Sequence, residues 1–286
     1  MPHLNRTHPQ MTQITKQSHQ SVIKFSPLGL VGLCLFCLFG MFALQIIGTY
    51  IGSLAYYEQA QNLDTATLIT LGSNNGVVVA ISVVITALAF TLFAVGLVLF
   101  KSKTARHGTP HQPPSAHHWG AVWQFFGIKA MGVRGFVVSL IGMIAFMAVS
   151  EIILTALDSS PMDFLDGLIT DESLPLLIFA IVVVAPIYEE LVFRGLIFGG
   201  LLHHHRAEQT PIRLVGFSIA KSTLTASLIS SLLFTLVHLQ YDLLGMMIIF
   251  AMALLFCYIR VKYGLVMAIL MHMVNNGMAM AVYLAI

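Results

Sequence analysis

Apolar residues run along this chain in seven long blocks separated by short polar interruptions. Each block is long enough to cross a hydrocarbon core of about 30 Å, which takes about 20 helical residues. They lie near 27–56, 76–100, 135–157, 174–202, 223–240, 243–259 and 263–286. The first two hold no charged side chain, and the fourth is broken only by Glu189, Glu190 and Arg194. The pattern predicts an all-α, polytopic integral membrane bundle of about seven transmembrane helices. The block at 27–56 is about twice as long as the apolar part of a secretory signal, with no clear cleavage site after it, so it is expected to remain as a helix.

Composition agrees: 57% of the chain is hydrophobic and 9% charged, against roughly 25% charged in soluble domains. Of the 14 Lys and Arg residues, all but Arg194 fall before the first block or after the second, fourth and sixth. The opposite loops hold Glu58, Asp64, Asp158, Asp163, Asp166, Asp171, Glu172 and Asp242, with no Lys or Arg. Basic residues are retained on the cytoplasmic side, which predicts a cytoplasmic amino terminus and an external carboxyl terminus. No organelle-targeting segment is evident, and a bacterial inner membrane is the expected location.

The chain is expected to divide into a cytoplasmic tail at 1–26, two helices at 27–100, a cytoplasmic His/Pro-rich linker at 101–134, a third helix with an acidic external loop at 135–173, and the remainder at 174–286. Residues 101–118 carry no apolar period. His107, His111, His117 and His118, like His203, His204 and His205, are expected to be solvated loop residues, because no acidic or Cys partner lies near them in sequence. Cys34, Cys37 and Cys257 fall inside apolar blocks, which excludes a disulfide framework or zinc knuckle. Gly195, Gly199 and Gly200 suit close helix packing. Nothing in the sequence points to nucleic acid; the expected partners are the lipid bilayer and a membrane-embedded or membrane-proximal protein.

Ionisable groups inside a bilayer are costly unless paired or hydrated, and so mark function. Besides Glu151, they are Glu189, Glu190, Arg194, His238 and His272, with Asn275 and Asn276 nearby. Residues four apart share a helix face. Glu190 and Arg194 can therefore form an ion pair that leaves Glu189 as the spare carboxylate. His238 shares a face with Phe234, and His272 with Asn276. A carboxylate, two imidazoles and an amide make an inventory for activating water. Glu189 would take the proton, while His238, His272 and Asn276 hold a metal or stabilise an oxyanion. Pro186 removes one backbone hydrogen bond just before Glu189 and opens the helix to water. Hydropathy puts His238 near the outer end of its helix and His272 about a third of the way in from the cytoplasm. Convergence then needs tilt, a kink at Pro186 or a sunken outer turn.

Three ordered stretches carry a resemblance. Glu189-Glu190-Leu191-Val192-Phe193-Arg194 resembles the EExxxR motif of the CPBP family, which includes CAAX proteases and bacteriocin-processing (Abi-like) enzymes. Phe234 to His238 is similar to its FxxxH motif, and His272 to Asn276 to its HxxxN motif. The resemblance covers about 174–286 and implies a four-helix catalytic core and an intramembrane endopeptidase acting on a membrane-associated or lipidated protein. It makes Glu189, His238, His272 and Asn276 the catalytic residues, supported by Glu190, Arg194 and Phe234. It is compatible with a zinc ion held by Glu189, His238 and His272, as in a metalloprotease, and equally with glutamate-activated water and no metal. The HExxH of zincins and the GxSG of rhomboids are absent, and Tyr241-Asp242 has no GxGD partner. Rival readings are a catalytically idle relative acting in bacteriocin immunity or as a scaffold, and a proton-coupled transporter.

Overall fold

A computed structural model describes residues 23–104, 118–204, 211–214 and 217–285. Among them run nine helices: α1 (Pro27–Tyr56), α2 (Thr65–Ser73), α3 (Gly76–Thr104), α4 (His118–Phe126), α5 (Val133–Ala156), α6 (Leu174–His204), α7 (Lys221–Leu236), α8 (Leu243–Tyr263) and α9 (Leu265–Ala285). An antiparallel hairpin, β1 (Pro211–Leu214) and β2 (Phe217–Ala220), precedes α7.

Short polar residues set the helix starts. The Ser26 hydroxyl accepts from the Gly29 N–H at 3.1 Å with Pro27 at the first helical position. Asp64 accepts from Thr67 at 2.9 Å and Asp242 from Gly245 at 2.7 Å. Each takes up a backbone donor that the first turn leaves without a partner. Gly264, at φ +100°, turns the chain from α8 into α9 in a conformation that side-chain-bearing residues rarely adopt.

Six helices are long and apolar enough to cross a membrane: α1, α3, α5, α6, α8 and α9. The protein is a multi-pass membrane protein. Large apolar side chains such as Leu28, Leu92, Val133, Ile141 and Ile152 face outward, as expected where the surroundings are as apolar as the side chains. The seventh expected span, 223–240, differs. Its helix α7 has 16 residues and stops at Leu236, short of a full crossing. It is rich in hydroxyls: Ser222, Ser227, Ser230 and Ser231 are buried against the rest of the protein, while Leu228 and Leu232 stay exposed. It still passes between the two ends of the bundle. The turn that follows it meets the acidic loop after α5, where the Ser159 hydroxyl donates to Asp242 at 2.7 Å and the Phe164 and Tyr241 rings lie 5.1 Å apart.

Helix α6 is the central element, its side chains sharing one core with those of α1, α3, α4, α7, α8 and α9. Three expectations are corrected here. Part of the presumed linker is the helix α4, whose Val122, Phe125 and Phe126 enter the core while Trp119 and Trp123 stay 60% and 55% exposed. It can approach because Gly195 and Gly199 carry no Cβ: one built at Gly195 would lie 2.8 Å from the Phe126 ring. His203 and His204 belong to the last turn of α6, not to a solvated loop. The His203 ring stacks on Phe125 at 5.3 Å, and His204 Nδ1 lies 3.1 Å from the Phe25 carbonyl. Arg260 is a buried residue of α8 whose guanidinium donates to the carbonyls of Arg194 (3.1 Å) and Phe125 (3.2 Å). His107, His111, His117 and His205 lie outside the described residues.

Candidate active site

Helix α6 is not a uniform α-helix. Phe179–Val184 and Leu191–Ile197 are wound as π-helix, with Ala185–Glu190 as α-helix between them. Such bulges free carbonyls from the regular ladder, and buried carbonyls need donors. Neighbouring helices supply them. The Ser230 hydroxyl of α7 donates to the Phe193 carbonyl at 2.8 Å, and Arg260 of α8 donates to that of Arg194. The result is a short α-helical turn, carrying both glutamates, held between two distorted ones.

Glu190 and Arg194 are fully buried, with Arg194 Nη1 2.9 Å from Glu190 Oε1. The guanidinium lies over the Phe234 ring at 4.2 Å and donates from Nη2 to the Ala253 carbonyl at 3.3 Å. Glu190 Oε1 also accepts from His272 Nδ1 at 3.0 Å. Glu189 is 8% exposed, and its Oε2 lies 3.8 Å from Nε2 of the same His272 ring. One imidazole thus faces both carboxylates, with its plane fixed by the Phe256 ring stacked at 4.8 Å. Helical spacing identifies the Glu190–Arg194 contact. It gives no sign of the link to His272, made across α9, or of Ala253, Phe256 and Arg260.

His238 lies in the turn after α7, its Nδ1 2.7 Å from the Phe234 carbonyl. A carbonyl can only accept, so Nδ1 donates and Nε2 is left for other partners. The Phe234 ring stands between the two histidines, 4.5 Å from His238 and 5.8 Å from His272. The Glu189 charge acts on both His238 and Tyr241. Burial, reinforced by that charge, pushes the Tyr241 hydroxyl up to about 12. Helix α7 stops at Leu236, and the turn after it carries His238 back over the last helical turn. Asn276 directs its Nδ2 to the Ile181 carbonyl in the first bulge of α6, at 3.0 Å, while its Oδ1 accepts from Asn275 at 3.2 Å. Glu151 of α5 is exposed and belongs to no part of this cluster.

The structure brings Glu189, Glu190, Arg194, Phe234, His238 and His272 together, with Asn276 one turn further along α9. Among the described residues no group of three or more His, Cys, Asp and Glu side chains has the arrangement to hold a metal ion. The two imidazoles donate from Nδ1, to Phe234 and Glu190, which leaves each Nε2 as the open ring nitrogen. No step below is routed through a metal.

Residues 171–278 match the family described as type II CAAX prenyl endopeptidase Rce1-like. This C-terminal region is similar to the CAAX proteases of the CPBP family. The matched segment starts in the loop before α6 and ends within α9, so it contains every residue of the cluster. A relative, the membrane-embedded CAAX protease MroQ of Staphylococcus aureus (strain USA300), is 33% identical over 114 residues. That alignment covers 38% of this chain, and the chain spans about 40% of the length of this curated relative. No solved structure matches.

Proposed function

We propose that this protein is an intramembrane endopeptidase that hydrolyses a peptide bond of a membrane-associated or lipidated protein with water activated by Glu189. The observation that carries the reading is the His272 imidazole set between two carboxylates, Nδ1 on Glu190 and Nε2 facing Glu189 at 3.8 Å. That separation exceeds a direct hydrogen bond but lets a water lie about 2.8 Å from both groups. Glu189 removes the water proton, and the oxygen attacks the scissile carbonyl. His272, oriented by Glu190, holds this water at Nε2, and His238, whose Nδ1–H is committed to Phe234, presents Nε2 as an acceptor. The proton held by Glu189 then passes to the leaving amine.

The membership of MroQ among CAAX proteases supports a protein substrate presented at the membrane. The alternating basic loops support a cytoplasmic amino terminus and an external carboxyl terminus, in what we take to be a bacterial inner membrane. Glu189→Gln should leave the protein folded and lower cleavage by roughly 10²–10⁴-fold, the usual contribution of a general base. His238→Ala and His272→Ala should be nearly as damaging. Comparing the membrane proteomes of cells carrying wild-type and Glu189→Gln protein should show one uncleaved protein accumulating in the variant; identical proteomes would leave the scaffold reading in place. Cleavage in reconstituted membranes should persist with excess chelator, and loss restored by zinc would replace the metal-free mechanism.

A further inference from the structure

We infer that Asn276 is a positioning residue: its side-chain amide stands in for the backbone N–H that Pro186 lacks, and so fixes the bulged turn of α6 that aims Glu189. The inference rests on Glu189 being the base of the reaction proposed above.

The reasoning starts from the hydrogen-bond register. In the bulge Phe179–Val184 the ladder runs from each N–H to the carbonyl five residues back, and the Ala185 N–H reaches the Ala180 carbonyl. The next rung in that register would join residue 186 to the carbonyl of Ile181. Residue 186 is proline and has no N–H to give. The Ile181 carbonyl is the very one that receives Asn276 Nδ2 at 3.0 Å. A backbone carbonyl left alone at membrane depth is costly, and here a neighbouring helix supplies the donor that sequence alone would assign to water.

Gly277 packs at the same level, where a Cβ built on it would make ordinary contact, 3.4 Å, with the Val182 side chain. The amide is itself oriented by the Asn275 Nδ2 donating to its Oδ1 at 3.2 Å. The two polar residues of the His272/Asn276 face thus divide their work. His272 faces the α-helical turn that carries both glutamates, and Asn276 holds the bulge that precedes it. A bulge that relaxed by one residue would rotate the following turn by about 100°, carrying Glu189 off His272.

A four-protein cycle tests this: Asn276→Ala, Pro186→Ala, the double variant and the parent, all full-length in detergent micelles. In the first arm all four also carry Glu189→Gln, so that only thermal unfolding is read and turnover plays no part. Asn276→Ala should lower Tm by several degrees, on the order of 2–6 °C for one buried hydrogen bond in a chain of this size. Pro186→Ala returns an N–H to that place, so the same change in its background should cost less than half as much. Equal losses in both backgrounds, or no loss beside Pro186, overturn the inference.

The second arm reads cleavage with Glu189 present. Asn276→Ala should lower kcat about ten-fold with KM within about two-fold, and the loss should shrink beside Ala at 186. A rate loss of the same factor in both backgrounds would put the amide on the reacting atoms and overturn the positioning role. If the parent cleaves nothing, the proposed activity fails while the stability cycle still decides the role of Asn276.

Discussion

Glu190 does two things through one oxygen, taking the Arg194 guanidinium at 2.9 Å and the His272 Nδ1–H at 3.0 Å. Both acid and base are fully buried, where a lone charge is far more costly than a neutral pair. Removing one partner of such a pair typically costs about 3–5 kcal/mol, whereas removing both leaves no uncompensated charge. Glu190→Gln and Arg194→Gln should therefore each destabilise the protein more than the double variant, as read by thermal unfolding in detergent. A double variant less stable than both singles would mean that the pair does not neutralise itself. The pairing is legible from a spacing of four on one helix. The role of Glu190 in orienting His272 is not, because it spans 82 positions of sequence and depends on how α6 and α9 face each other.

At the level of elements, the turn between α7 and α8 decides where His238 lies, and Asp242 anchors it. The Ser159 hydroxyl, then the Gly245 N–H, hold the Asp242 carboxyl below its ordinary value. A carboxyl depressed in the folded state adds stability above its unfolded pKa of about 3.9, and that stability is lost as pH falls through the folded value. Amide hydrogen exchange at the start of α8 should accordingly quicken as pH drops from 6 toward 3, after correction for the intrinsic rate. Asp242→Asn should weaken that dependence; an unchanged dependence would assign it to another group. A serine-rich sequence of ordinary apolar length can be read as a span, yet its hydroxyls are spent on neighbours such as the Phe193 carbonyl.

At the scale of the whole molecule, the helices outside the family match are not a separate module. Leu30, Leu33 and Cys37 of α1 and Val83, Ala87 and Phe90 of α3 share the core with Val192 and Phe193 of α6, so they brace the helix that carries the site. Orientation is predicted from charge, because Lys101, Lys129 and Arg134 fall between apolar blocks that alternate along the chain with the acidic loops. A reporter fused after Ser102 should behave as cytoplasmic and one fused after Asp166 as external. The opposite result would invert the protein in the membrane.

The sequence by itself determined the membrane class, the helix positions to within a few residues, the ordered motifs and the carboxylate left over from the Glu190–Arg194 pair. These follow from composition and from periodicity along one helix, which are local properties. Tertiary structure alone decided that α7 is a short helix with a buried serine face, that α4 is part of the core, and that Arg260 is internal. It also decided that one imidazole joins two carboxylates, and that the donor lost at Pro186 is returned by Asn276. Each of these depends on which face of one helix meets which face of another. Side chains distant in sequence satisfy one another only once the chain has closed on itself, and no spacing along a single helix records that meeting.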